Sequence, residues 1–469
     1  MATSRKSVNP PDKRRVNPPS GRRVKIAFVG GGSQSWAPRL IRDIVFQHEL
    51  KQAELEIALL DPNVGRARAI KRLFDVLLEK WRIGRVQMYA TQDAKRALRG
   101  ADFALITIST GGLEAMRHDL EIPERYGIYH TVGDTVGPGG WARALRNIPV
   151  FQAYAQQIKK LAPNAYVLNY TNPMGALTKV LSDELGHSRV VGLCHGMFET
   201  YEMLKVVLGI TDERELKLSF GGLNHFFWVL DISANGRDGY ELLRSKLRGR
   251  TLVELFDRMT TDQHGWSSRG RLASELFEQY GYLSYIADRH ICEFFGSYIT
   301  SKAMMDRFKL VRTSIGERAA SYSRAANWIE DLTAGRGRLE TKPSRETAAD
   351  IMAAITFDRG FADVVNMANI GQIPNLPMGA VVETMGYVDA GGARPLTVGP
   401  FPEQLRALCA PHAEVQLRTV KAGLSGDLEE ALMALVADPV CATLTASDVK
   451  KMGRELLKAN KQYLPQFRV

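Results

Sequence analysis

The chain has little cysteine. Four residues, Cys194, Cys292, Cys409 and Cys441, are scattered over 469 positions, which excludes a disulfide framework and suits a reducing cytoplasm. No uninterrupted apolar run reaches the roughly 18 residues that a membrane-spanning helix needs. The first residues carry no apolar signal region, and Arg14-Arg15 has only the letters of a twin-arginine export signal. No solenoid-like repeat follows either. Charge of one sign is scarce outside one place. Of the net +11, residues 1–23 contribute Arg5, Lys6, Lys13, Arg14, Arg15, Arg22 and Arg23 against Asp12 alone. This Pro-rich stretch holds a duplication, VNPPDKRR then VNPPSGRR, and no apolar periodicity. It cannot bury enough surface to offset its ordering entropy, so a disordered basic arm is expected over 1–23. No membrane partner and no nucleic-acid partner are expected, the excess charge being a solvated tail.

What is present reads as alternating strands and helices. VKIAFVGGGSQSW begins with a near-continuous apolar run, the mark of a strand buried on both faces. Gly30, Gly31 and Gly32 follow, then Ser33 and a helical pattern opened by Pro38. Strand, glycine turn and helix start form a phosphate cradle, in which backbone and helix N–H groups face an anion. The next strand, LEIALLD, ends on Asp61, thirty-one residues after Gly30. A carboxylate there suits a ribose diol and so favours NAD over NADP, although the usual spacing is ~20 residues. Three further apolar runs, ADFALITIST, AYVLNYTNP and RVVGLCHG, each end in small or polar residues, where an open parallel sheet binds ligands. The expected fold is α/β. A Rossmann-like, doubly wound parallel sheet over 24–196 is followed by a mixed α/β catalytic domain over 197–469. Cys194 and His195 fall at a strand's carboxyl end, and His225 closes LNH in a later strand pattern. From the residues alone, a packed thiol and a reactive one are both admissible.

The segments KIAFVGGGSQSWAPRLIRDI, GGLEAMRHDLEIPERYGI, VGDTVGPGGWARALRNIPV, NYTNPMGALT, GLCHG, GLNHFFW and VVNMANIGQIPNLP, in this order from residue 25 to about 380, resemble family 4 of the glycoside hydrolases. Lactate and malate dehydrogenases share the front half but lack CHG, LNH and GQIPNLP. The resemblance implies an NAD-dependent glycosidase, an exception to two-carboxylate hydrolysis. NAD takes hydride from C3 of the sugar, a base removes the acidified C2 proton, the glycosidic bond is lost by elimination, water adds and the hydride returns. A divalent metal, Mn2+ first, would hold the C2 and C3 oxygens.

Residue by residue, the resemblance implies that Gly30, Gly31, Gly32, Ser33 and Asp61 hold NAD and that Cys194 and His225 bind the metal. Asn172 would touch sugar hydroxyls and Asp119 would protonate the leaving oxygen. The base would be Tyr282 or Asp288, in a stretch that also contains Tyr285; His290 reads as a polar residue or third ligand. CHG resembles the branch acting on uronic acids, α-glucuronides or α-galacturonides. Met116 stands where the phosphosugar members carry arginine, with Arg117 one place on. His195, Arg146 and Arg289 are candidates to contact such a sugar, the arginines offering a fork for its C6 carboxylate. The same chemistry on a sulfoquinovoside or a neutral α-galactoside or α-glucoside is the alternative; a sugar or hydroxyacid dehydrogenase is a further one. Family resemblance also implies a homodimer or homotetramer.

Overall fold

A computed structural model describes residues 21–259 and 270–468. Most of the expected basic arm, residues 1–20, lies outside the described residues. Arg23, counted with that arm above, instead opens β1 (Arg23–Val29) and pairs with Glu56. The first half alternates β1, α1 (Ala37–Phe46), β2 (Glu54–Leu60), α2 (Val64–Lys80), β3 (Val86–Thr91), α3 (Ala94–Leu98), β4 (Phe103–Ile106), α4 (Gly112–Glu124), α5 (Gly137–Leu161), β5 (Tyr166–Asn169), α6 (Met174–Leu185) and β6 (Val190–Gly192). Its strands lie parallel in the order 3-2-1-4-5-6, the Rossmann arrangement. The local reasons are plain. β4 is buried at every position, as a strand covered on both faces must be. Helix α1 accepts Pro38 in its first turn and turns Leu40, Ile41, Ile44 and Val45 to the core. At the head of α2 the Asn63 side chain accepts the Arg66 N–H.

After β6 come α7 (Gly196–Leu208), β7 (Leu216–Leu223), β8 (Phe226–Ala234), β9 (Arg237–Asp238), β10 (Leu283–Ser284), β11 (Phe361–Ala368), β12 (Val381–Asp389) and β13 (Gly392–Pro395). These strands continue the same sheet in the order β6-β11-β12-β7-β8-β10, now antiparallel throughout. Residues 24–196 and 197–469 therefore share one sheet, and strand direction changes at β6. The junctions are narrow: Asn366 faces Gly192, and Glu383 faces Gly222. A Cβ on Gly192 would come within 3.0 Å of the Asn366 Cβ, so the close approach requires glycine there. Helix Glu403–Ser425 packs on α5 and α6, and helix Ala446–Ala459 packs on α4. The end of the chain thus folds back over the parallel half. Among the described residues no helix is long and apolar enough to cross a membrane.

Candidate active site

The glycine turn sits where β1 and β4 diverge, at the crevice expected to take a dinucleotide. Gly30 has φ +88°, and a Cβ there would lie 2.3 Å from the Thr107 carbonyl oxygen that follows β4. Gly31 leaves no room either, its Cβ falling 2.6 Å from Leu59 Cα. The Gly32 N–H donates to Asp61 Oδ2 at 3.0 Å, while Asp61 Oδ1 accepts the Asn63 N–H at 2.8 Å. Ser33 Oγ accepts from Trp36 N–H at 3.3 Å at the entry to α1. Gly30, Gly31, Gly32, Ser33 and Asp61 thus form one contiguous cradle with its backbone pressed against the sheet, a shape suited to pyrophosphate and ribose.

A second constellation is gathered from distant segments. Ligand atoms of Asp134, His225 and His290 lie within 4.8 Å of one another. Asp134 comes from the loop before α5. His225 occupies the β7–β8 turn at φ +64°, a left-handed conformation in which histidine is among the better-tolerated residues. His290 belongs to the short helix Asp288–Ile291. Burial first, then the neighbouring charges, pushes His225 down to about 3, and burial pushes His290 down to about 4. Both imidazoles are therefore neutral, the form that binds metals. Burial opposes ionisation of Asp134, but Arg143 and the histidines keep its carboxyl below the ordinary range.

The hydrogen bonds fix a tautomer. Thr135 donates its one hydroxyl proton to Asp134 Oδ1 at 2.7 Å and lies 3.0 Å from His225 Nδ1. Nδ1 must then carry the proton and donate, which leaves the Nε2 lone pair for a ligand. Among the described residues, buried His290 Nδ1 has no hydrogen-bond partner. Two neutral imidazoles, an ionised carboxylate and an orphaned ring nitrogen fit a divalent cation of intermediate softness. Asn172 stands beside them at the carboxyl end of β5: its side-chain amide donates to Asp134 Oδ2 at 3.2 Å, and its backbone carbonyl accepts the Arg143 Nε–H at 3.0 Å.

The sequence-derived candidates divide on this geometry. Cys194, half-buried after β6, is outside the close-set trio. On the turn that carries His225, the Asn224 side chain donates to Glu383 Oε2 at 2.9 Å. Burial, then the Glu383 charge, pushes the Cys194 thiol up. Tyr282 packs edge-on against Tyr240, with ring centroids 6.4 Å apart. It is Tyr285 that stacks on His225 at 5.9 Å and on His290 at 6.0 Å. Asp288 is fully buried and accepts the Leu272 and Ala273 N–H groups at 3.0 Å each, anchoring the start of helix Arg271–Tyr280.

Asp119 is also fully buried, with Arg146 Nη1 at 2.7 Å and Nη2 at 2.5 Å. Arg146 completes its bonding on the Thr110 carbonyl. The two form a closed bidentate pair, so neither the expected proton donation nor the expected sugar contact is possible without opening it. Arg289 bonds Thr313 Oγ1 and the Thr131 carbonyl, while its Nε has no partner among the described residues. His195 lies half-exposed at the head of α7, 3.6 Å from Glu346 and against Trp36. Asp134 was not singled out from sequence; its signal was the VGDTVGPGG segment that leads into α5.

The chain resembles known proteins over nearly its whole length. The family 4 glycosyl hydrolase pattern matches residues 25–210, and that of the family's C-terminal domain matches residues 220–441. An α-galacturonidase of Thermoanaerobacter italicus is 30% identical over 94% of this chain and 97% of its own length. One of Bacillus subtilis is 33% identical over 93% and 97%. A 6-phospho-α-glucosidase from gut microorganisms, solved with NAD and Mn2+, superposes with a TM-score of 0.79 over 95% of this chain and 100% of that one, at 21% identity. The likeness in sequence spans both halves of the sheet. The chain belongs to family 4 of the glycosyl hydrolases.

Proposed function

We propose that this protein hydrolyses α-glycosides of an acidic sugar, α-galacturonides first, using NAD and a divalent metal, Mn2+ foremost. The observation that carries the reading is the close-set Asp134–His225–His290 trio beside Asn172, at the carboxyl end of a sheet whose first turn is a glycine cradle. The α-galacturonidases among its relatives support the substrate class. NAD, when bound, supplies reversible hydride transfer at C3, and the metal supplies positive charge at the C2 and C3 oxygens.

The chain's own residues do the rest. Gly30 to Ser33 and Asp61 seat the dinucleotide, and Asp134, His225 and His290 hold the cation, with Cys194 placed behind the His225 turn. Asn172 orients a sugar hydroxyl next to Asp134. Tyr285, whose ring stacks near both imidazoles, would take the C2 proton as its phenolate, the bound cation offsetting the burial and the Glu199 charge that otherwise keep it protonated; this replaces the choice between Tyr282 and Asp288. Arg289 meets the sugar's carboxylate with the Nε–H that has no partner among the described residues.

A panel of aryl α- and β-glycosides bearing a C6 hydroxyl, carboxylate, phosphate or sulfonate tests the reading in the presence of NAD, Mn2+ and reductant. Highest kcat/KM on the α-galacturonide is expected. Faster turnover of the phosphate, sulfonate or neutral sugar would contradict the substrate class. NADH accumulating in proportion to product would contradict the glycosidase chemistry.

A further inference from the structure

Glu293 lies outside the substrate-facing set, yet it is the most heavily engaged carboxylate beside the trio. It is 1% exposed and sits three residues after His290. Its Oε1 lies 3.1 Å from His130 Nδ1 and 3.1 Å from Thr131 Oγ1, and accepts the Val132 N–H at 2.8 Å and the Gly133 N–H at 2.9 Å. Oε2 adds a longer contact to the Gly133 N–H at 3.2 Å. The next residue is Asp134. His130 continues the arrangement, since its Nε2 accepts the Gly139 N–H in the first turn of α5 at 3.2 Å. One side chain therefore fastens the loop bearing Asp134 to the segment bearing His290, and His130 passes that restraint to α5.

We propose that Glu293 is a positioning residue for the metal site. It sets the separation of Asp134 and His290 by gathering the 130–133 backbone, and it acts through hydrogen-bond geometry rather than through its charge. The inference rests on the metal reading of the trio. Nearly all its contacts converge on one oxygen, so an amide can reproduce them with its carbonyl, whereas a shorter carboxylate cannot. Glu293→Gln and Glu293→Asp consequently separate geometry from charge in opposite directions.

The full-length protein, stripped of metal, is titrated with Mn2+ alone, without NAD or sugar, by electron paramagnetic resonance of the free ion. Co2+ spectra report ligand geometry in parallel. The Kd of Glu293→Gln should stay within about threefold of the parent and its Co2+ spectrum should be unchanged. Glu293→Asp should bind about 10–100-fold more weakly, the range found when groups supporting metal ligands are disturbed, with an altered Co2+ spectrum. Parent-like binding by Glu293→Asp, or an equal loss in Glu293→Gln, would overturn the proposal. If Glu293→Asp does not fold, Thr131→Val, which removes the hydroxyl at Oε1 together with its contacts to the Arg289 carbonyl and Cys292 Sγ, takes its place with an expected loss of about tenfold; unchanged affinity there overturns it equally. His225→Ala is titrated alongside. Binding that this substitution leaves intact would overturn the metal reading itself, whereas the Glu293 variants bear on positioning alone.

Discussion

The glycine cradle and the metal trio are neighbours in function and opposites in construction. The cradle is built from backbone within one strand–turn–helix unit, and its requirement is the absence of side chains: a Cβ on Gly30, Gly31 or Gly32 would meet an atom within 3 Å. The trio is built from side chains on three segments, from Asp134 to His290, and neighbouring side chains set Asp134 and His225. Thr135 fixes the tautomer of His225, Glu293 gathers the loop before Asp134, and Asn172 caps the carboxylate. A site made of backbone is local and is specified by composition. A site made of side chains is specified by packing, and its supporting residues are as consequential as the ligands.

If the two constructions are separable, substitutions should damage one and spare the other. His225→Ala should lower turnover by on the order of a thousand-fold, since it removes positive charge from the reacting oxygens. The Kd for NAD should remain near the parent value by calorimetry, and a parallel loss of NAD affinity would break the separation. Asp119→Ala leaves Arg146 buried without its counter-charge and should lower the unfolding free energy by about 3–5 kcal/mol in denaturant titration. A loss near zero would show that the pair is dispensable.

Gly30→Ala forces a residue at φ +88° against Thr107 and should cost about 1–3 kcal/mol of stability. It should weaken NAD binding while Mn2+ binding stays unchanged. The smallest effect belongs to the seam between the halves. Burial pushes Glu383 up to about 7 from an ordinary 4.5. The unfolded chain therefore releases this proton at lower pH than the folded one, and the folded state binds more protons across the window. Stability of metal-free protein should fall as pH rises from about 4.5 through about 7. Glu383→Gln should flatten that slope in melting curves between pH 5 and pH 8, and an unchanged slope would place the titration elsewhere.

The same contrast explains what was legible in the sequence. The apolar runs of β1, β2 and β4, the three glycines and Asp61 are local patterns, and the parallel half of the sheet follows from them. His225 was legible only through LNH and the family resemblance. Asp134, ninety-one residues before it, was not legible, and His290, sixty-five residues after it, was legible only as a polar residue or third ligand. Tyr282 and Tyr285 illustrate a finer limit. Side chains alternate along a strand, so the two tyrosines flanking the two-residue β10 leave on opposite faces. Pairing of Leu283 with Val229 and of Ser284 with Trp228 decides which of them meets His225. Asp288 and Asp119 read as free acids in a string of letters. Their partners, two backbone amides and a guanidinium, become visible only once the helices pack.

On the proposed mechanism the sugar loses its C2 proton, to Tyr285, before the glycosidic bond breaks. Direct displacement at C1 leaves that proton in place. Hydrolysis of an aryl α-galacturonide in D2O, followed by NMR of the released sugar, reads the difference. Deuterium at C2 of the product, accompanied by a slower rate for substrate deuterated at C2, is the expected result. Unlabelled product with no rate difference at C2 would contradict the account.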